Sequence, residues 1–309
     1  MTGSSNALRT GRIAATALLG LLLLLAAAWP AFAQEPLRHP QGLLWRVETP
    51  GKPPSHLFGT MHSSDPQIVA LPAPVTAALR EARSIAIELE LGDEVQAKMA
   101  GAMVLGGGRR LEGIIGPQRF QALAAIGALY DMQPASLQRL APWAAMTIIS
   151  LTPTEFRRIR EGHLPLDHAI QVYAGEQGLP LYGLESVEEQ IAVFRDVPEP
   201  QQVALLDLAI RSHPQIETWY RQMKDAYLTR DLAALARLAQ DQSAGADPEV
   251  MAAFQSRLIE TRNKRMAVRM MERLDEGGAF VAVGALHLPG DLGLVHLLEL
   301  QGRTLTRIY

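Results

Sequence analysis

The chain has 309 residues, with 29 Lys+Arg against 32 Asp+Glu and a formal net charge of −3. That mild acidity excludes a partner that needs a clustered basic face, so no nucleic acid is expected. Cysteine is absent, which excludes disulfides, thiol nucleophiles and cysteine-held zinc or iron–sulfur sites and leaves His and carboxylates as the metal donors.

The first segment reads as a leader. Arg9 and Arg12 form a positive n-region, Ile13–Trp29 is rich in Leu and Ala, and Ala31-Phe32-Ala33 supplies an A-x-A cleavage pattern before Gln34. An uncleaved anchor is the alternative, since the apolar run has the short end of membrane-spanning length. Pro30 and the A-x-A favour cleavage, so residues 1–33 are expected to be a signal peptide and the protein to be periplasmic or secreted. Its removal takes away two arginines and no acid, leaving 276 residues with a net charge of −5. No later stretch has the length and apolarity of a membrane span, so no stable membrane insertion is expected after cleavage. Residues 34–309 are long enough for a sizeable core and are predicted to form a single domain.

Leu43–Val47 and Ser55–Phe58 are short strand-like runs joined by a Pro- and Gly-rich segment, which predicts a hairpin. The second run leads into Gly59-Thr60-Met61-His62. Val75–Arg83 has helical character. Ser84–Leu91 (SIAIELEL) alternates, with Ile85, Ile87, Leu89 and Leu91 on one face and Ala86, Glu88 and Glu90 on the other. Glu90 reads as a solvated edge residue. Glu88 lies deeper in the apolar run, where a carboxylate needs a partner or a metal to offset its desolvation.

From Asp93 to about Arg160 the pattern is helical and broken by turn residues, and it reads as a helical insertion capping an α/β core. Gly106-Gly107-Gly108 lacks the Lys-Ser/Thr and the flanking strand of a phosphate-binding loop and reads as a turn. Leu166–Gln177 is an amphipathic helix introduced by Pro165 and closed by Gly178, followed by a strand at Leu179–Gly183 and then Glu185. Asp167 and His168 at its start read as dipole-compatible surface residues. Helices continue over Ser186–Arg195, Pro200–Ser212, Ile216–Tyr227 and Asp231–Gln240.

Pro248–Leu274 is the longest helical pattern, and Arg262 and Asn263 fall on its apolar face. Such polar residues need partners, either in a structural network or in a site. Ala279–Val283 is a buried strand that runs into Gly284-Ala285-Leu286-His287, repeating the earlier Gly-x-x-His arrangement. A helix over Gly290–Gln301 and a strand over Thr304–Ile308 complete the chain.

A glycine at a strand end lets the backbone turn and come close to something else. A histidine three residues on then stands at the strand's C-terminal rim, where open α/β sheets hold ligands. Each histidine alone is accounted for as a loop cap. Two copies some 220 residues apart suggest one shared site, as a rough sequence-level inference. No H-E-x-x-H, G-x-S-x-G or strand-following G-x-G-x-x-G is present, which argues against zincins, serine hydrolases of that type and dinucleotide enzymes. What remains is a His/Glu set, His62, Glu88, Glu185 and His287, of a kind that suits Zn, Mn, Co or Fe.

The segments LWRVETP, HLFGTMHSSD, IAIELEL, LPLDHAIQVYAGEQGLPLYGLESVEEQ, TRNKRMA and FVAVGALHLPGDLGLVHLLELQG resemble the TraB/GumN family, which is related to the Tiki metalloproteases. The resemblance covers essentially the whole chain after the leader and rests most on the paired Gly-x-x-His motifs. It implies an α/β fold with a central sheet and a metal-dependent peptidase or hydrolase, with a peptide or protein as substrate. By position His62 and His287 match the motif histidines, Glu88 the acidic residue after the first motif, Glu185 the Glu of the G-L-E segment, and Arg262-Asn263 an Arg-Asn pair. Thr261 stands where many relatives carry Glu.

The expectation for the site follows. His62, Glu88 and His287 are the expected ligands of a divalent ion (Mn, Co or Zn), with their side chains within roughly 4–8 Å of one another before metal binds. Glu185 is the general base or an orienting group, and Arg262 with Asn263 steadies developing negative charge. Two other classes stay open: a non-catalytic periplasmic accessory protein, as in polysaccharide export, and a metal-independent hydrolase with His62 as base.

Overall fold

The computed structural model describes residues 37–242 and 245–309; the leader expected over 1–33 lies outside the described residues. Short runs of Leu, Val, Ile and Phe between Gly- and Pro-rich turns form six strands. They are β1 (Leu44–Glu48), β2 (Ser55–Thr60), β3 (Ser84–Ile87), β4 (Leu181–Gly183), β5 (Ala279–Gly284) and β6 (Thr304–Arg307). They make one sheet in the order β4-β3-β5-β2-β1-β6. β1 and β2 form the expected antiparallel hairpin, with Leu44 opposite Phe58 and Val47 opposite Ser55. β2, β5, β3 and β4 are mutually parallel, with Thr60 opposite Gly284 and Ile87 opposite both Ala282 and Gly183. β6 closes the far side antiparallel to β1. The protein is therefore a mixed α/β structure, with helices in every crossover between the parallel strands.

The parallel strands at the centre are covered on both faces. All of β3 and β5 is buried, Ala86 included, so the alternation read over Ser84–Leu91 does not separate an inner from an outer face. β3 also stops at Ile87, four residues short of the expected end. Leu89 and Leu91 leave the sheet for a second, helical core, and Glu90 is exposed. β4 starts only at Leu181, because Leu179 still follows the left-handed turn of Gly178 that ends helix Leu166–Gln177. The last helix starts at Leu294, not Gly290: Gly290 has φ +95°, outside helical space.

The sheet core gathers side chains from β1, β2, β3 and β5 with Leu166, Ile170, Met266 and Met270. The helical core holds Met99, Leu123, Trp143 and Phe156 from the expected insertion. It also draws on Ile191, Phe194, Leu205 and Phe254, from helices beyond Arg160. The long pattern from Pro248 is not one α-helix. Helix Pro248–Gln255 widens into a π turn at Ser256–Glu260, resumes as Thr261–Arg269, and breaks at Met270 before Met271–Glu276. Such widened turns occur mostly as single insertions near functional residues. No helix among the described residues is long and apolar enough to cross a membrane.

Close approach explains the first motif glycine. A Cβ on Gly59 would lie 2.7 Å from Leu288 Cδ1 and 3.0 Å from the Ala285 backbone, so the segment after β5 can rest on β2 only if residue 59 has no side chain. Gly59→Ala is expected to lower stability by about 1–3 kcal/mol through overpacking. The check is a urea unfolding midpoint that falls while the slope stays constant.

Candidate functional site

The four parallel strands end along one rim, and each contributes the residue expected of it. His62 follows β2 by two residues, Glu88 is the first residue after β3, Glu185 follows β4 by two, and His287 ends the 3-10 turn Ala285–His287 after β5. All four are buried, at 3, 3, 5 and 1% exposure. Helix Thr261–Arg269 lays Arg262 and Asn263 against them, and Arg262, at 1%, is the largest fully buried side chain among the described residues. The structure thus brings all six expected site residues together.

Arg262 organises the charges. Its Nε donates to Glu185 Oε2 at 2.9 Å, and Nη2 donates to Glu185 Oε2 and Glu88 Oε2, each at 2.6 Å. Nη1 donates to the Leu258 carbonyl of the π turn at 3.2 Å and approaches His287 Nε2 at 3.1 Å. Glu185 Oε1 takes a further bond from Arg265 at 3.2 Å, so both of its oxygens are engaged by guanidinium groups. Glu88 Oε1 accepts the Gly284 backbone N–H at 2.6 Å. Burial alone pushes the Glu88 carboxyl up, but Arg262, the neighbouring imidazoles and the Gly284 N–H outweigh it and hold Glu88 well below the usual carboxylate range. The same two carboxylates lift Arg262 above its ordinary value against the pull of burial.

Each imidazole is oriented through Nδ1. His62 Nδ1 lies 2.5 Å from Asp167 Oδ2; a carboxylate only accepts, so His62 donates there and turns Nε2 inward. His287 Nδ1 lies 2.5 Å from Asn263 Oδ1. Asn263 Nδ2 is bound to the His287 and Leu292 carbonyls at 3.2 and 2.7 Å, which fixes the amide and makes Oδ1 the acceptor. Asn263 therefore aims His287, and its donors are already spent on backbone carbonyls. His287 is pushed down to about 3 by burial and then by the Arg262 charge, so its Nε2 carries a lone pair at neutral pH. Burial also pushes His62 down, but Asp167 and Glu88 outweigh it and the net displacement is upward.

Both Nε2 atoms face one carboxylate oxygen. Glu88 Oε1 is 3.6 Å from His287 Nε2 and 4.0 Å from His62 Nε2. His62 Nε2 is buried and has no hydrogen-bond partner. Gly284 floors this space: a Cβ there would meet Glu88 Oε1 at 3.3 Å, His287 Cδ2 at 3.4 Å and His62 Nε2 at 3.5 Å. Two imidazoles with acceptor-bound Nδ1 groups and one carboxylate are donors of the kind a borderline divalent ion takes, but the three ligand atoms do not all lie within 4.8 Å of one another, so the two imidazoles would have to draw together to share an ion. Occupancy would require His287 Nε2 to exchange its Arg262 contact for the ion, while Nη1 keeps the Leu258 carbonyl.

Asp167, expected at the surface from its place in the first turn of a helix, has a side chain only 13% exposed. It is not a surface group: Pro165 starts its helix and Leu166 N–H donates to the Ser63 carbonyl at 3.1 Å, which docks the first turn beside His62. Its other oxygen accepts from Thr60 Oγ1 at 2.5 Å. Glu155 and Tyr220 carry no sequence signal either, yet both hold the loop after His62. Ser63 Oγ donates to Glu155 Oε2 at 3.1 Å and lies 2.7 Å from the Tyr220 hydroxyl, while Ser64 N–H donates to Glu155 Oε1 at 2.5 Å. Asp65 takes bonds from Arg158 and Lys224, each at 3.2 Å.

A family model described as the TraB/PrgY/gumN family matches residues 43–307. Two proteins named "Uncharacterized protein YbaP" are similar over 258 residues, 82% of this chain and 90% of theirs: that of Shigella flexneri at 24% identity and that of Escherichia coli strain K12 at 23%. No solved structure matches the chain. With the match spanning β1 to β6, the chain belongs to the TraB/PrgY/gumN family.

Proposed function

We propose that the strand-end cluster is the centre of a metal-dependent hydrolase, acting on a peptide bond in an exported protein. The observation that carries this reading is the orientation of the two imidazoles, both Nδ1-bound to acceptors with Nε2 turned toward Glu88 Oε1, one of them partnerless. The resemblance of the Gly-x-x-His strand ends to the Tiki metalloproteases supports it. His62, Glu88 and His287 would hold the ion, which in such sites polarises a carbonyl and activates bound water. Asp167 and Asn263 keep the two ring tautomers that present Nε2. Glu185 orients Arg262, since both of its oxygens already accept N–H bonds, and a general-base role for it is set aside. Arg262 balances the Glu88 charge, and burial of the whole set strengthens each of these interactions.

The test is metal content together with cleavage of a broad peptide library by the wild type and three variants. His62→Ala and His287→Ala are each expected to abolish metal uptake and cleavage, because too few ligands remain. Glu185→Gln is expected to retain metal while turnover falls by on the order of 100-fold, through a misplaced Arg262. Cleavage that survives chelation would replace this reading with His/Glu catalysis without metal. Metal uptake with no cleavage would favour the accessory protein, and neither uptake nor cleavage in the wild type would end the hydrolase proposal.

A further inference from the structure

A second convergence of ligand atoms lies outside the strand-end cluster. His39 Nε2 is 3.1 Å and His296 Nδ1 3.2 Å from the same oxygen, Glu299 Oε2. Among the described residues this is the set of three whose ligand atoms all lie within 4.8 Å of one another. The three side chains are 20, 18 and 35% exposed, so an ion can enter and water can complete its shell. His296 and Glu299 stand three apart on helix Leu294–Leu300 and share one face.

His39 is delivered to them by the backbone. It has φ +51°, in the left-handed region that few residues with a side chain adopt. The surrounding segment is tied on both sides: the Arg38 carbonyl accepts from Gly290 N–H and the Pro40 carbonyl from Ala233 N–H, each at 2.9 Å. Arg38 Nε also donates to Asp291 Oδ1 at 2.6 Å. The His39 ring rests edge-on against Trp45, with centroids 5.1 Å apart at 83°. Packing therefore fixes its direction before any ligand arrives, which lowers the cost of binding.

We propose that His39, His296 and Glu299 form a second, partly exposed site for a borderline divalent transition-metal ion of the Zn2+ class. Two imidazoles and one carboxylate suit such ions, whereas Mg2+ and Ca2+ take oxygen ligands almost throughout. The ion would clip the segment at His39 to the last helix. That helix follows the loop whose Leu292 carbonyl holds Asn263, so the clip would also brace the support of His287.

The experiment titrates Zn2+ into the chelator-stripped protein by calorimetry, in the wild type and in His39→Asn, His296→Gln, Glu299→Gln and His287→Ala. Asn at position 39 tolerates the left-handed backbone, and far-UV circular dichroism checks each fold. The three outer variants are each expected to lose one Zn2+ equivalent, or to bind it on the order of 100-fold more weakly, because one of three ligands is gone. His287→Ala is expected to keep that equivalent. Zn2+ is also expected to slow tryptic cleavage after Arg38 in the wild type but not in His296→Gln, a readout that stands if His287→Ala fails to fold. Unchanged stoichiometry and affinity across the outer variants would overturn the site. So would an equivalent lost in His287→Ala and retained in His296→Gln, which would leave the strand-end reading standing.

Discussion

Arg262→Met is expected to destabilise the protein by about 3–5 kcal/mol, because it leaves the buried Glu88 carboxylate without its guanidinium partner and Glu185 with Arg265 alone. Glu88 and Glu185 are 3 and 5% exposed, and both accept a short bond from the same guanidinium. Methionine fills much of the volume but donates no hydrogen bond, so the loss is electrostatic more than steric. The effect carries a pH signature. In the wild type Glu88 is held below its ordinary value of 4.5, so its contribution is present above that pH and fades as the solution is acidified through the folded value. Without Arg262, desolvation raises the folded Glu88 above its unfolded value, which penalises folding at pH 7 and is relieved by protonation. The gap between wild type and variant should therefore narrow from pH 7 to about 4.5. Denaturant unfolding across that range measures it, and a gap that is small or constant with pH would show that Glu88 does not depend on Arg262.

Asp167→Ala is expected to weaken metal uptake and turnover by about 10- to 100-fold, the range typical of losing the group that orients a ligating histidine. The carboxylate fixes His62 Nδ1 as donor and leaves Nε2 free to ligate. Alanine frees the ring to rotate or to change tautomer, and it also leaves Thr60 Oγ1 without its acceptor. Asp167→Asn keeps an acceptor oxygen and should recover part of the loss. Competition titration against a chromophoric chelator gives the affinity, and circular dichroism shows whether the sheet survives. Equal affinity in wild type and Asp167→Ala would mean that His62 is not a ligand.

The two predictions differ in how far their residues can be read from the chain. Arg262 could be singled out because a charged residue on the apolar face of a helix must find a partner, and the structure supplies two. Asp167 could not, since an acid in the first turn of a helix is ordinary on a surface. What makes it part of the site is a contact across 105 residues of chain.

That difference runs through the whole molecule. The bounds of helix Leu166–Gln177 follow from Pro165 and Gly178, the β1–β2 hairpin from its turn residues, and β5 from its run of small and β-branched residues. These signals are local, so the sequence alone determined them, along with the His/Glu set and its position after strands. The end of β3 at Ile87, the π turn before Arg262 and the membership of the helical core past Arg160 are not local. Each depends on which surface covers the segment once the chain has folded. The strand order β3-β5-β2 sets Glu88 beside His287 and His62, and packing against that rim assigned Asn263 to aim a ring and Glu185 to hold an arginine. Residue types and spacing singled out the His/Glu set, but hydrogen-bond partners distant in sequence decided which atom of each residue is left free.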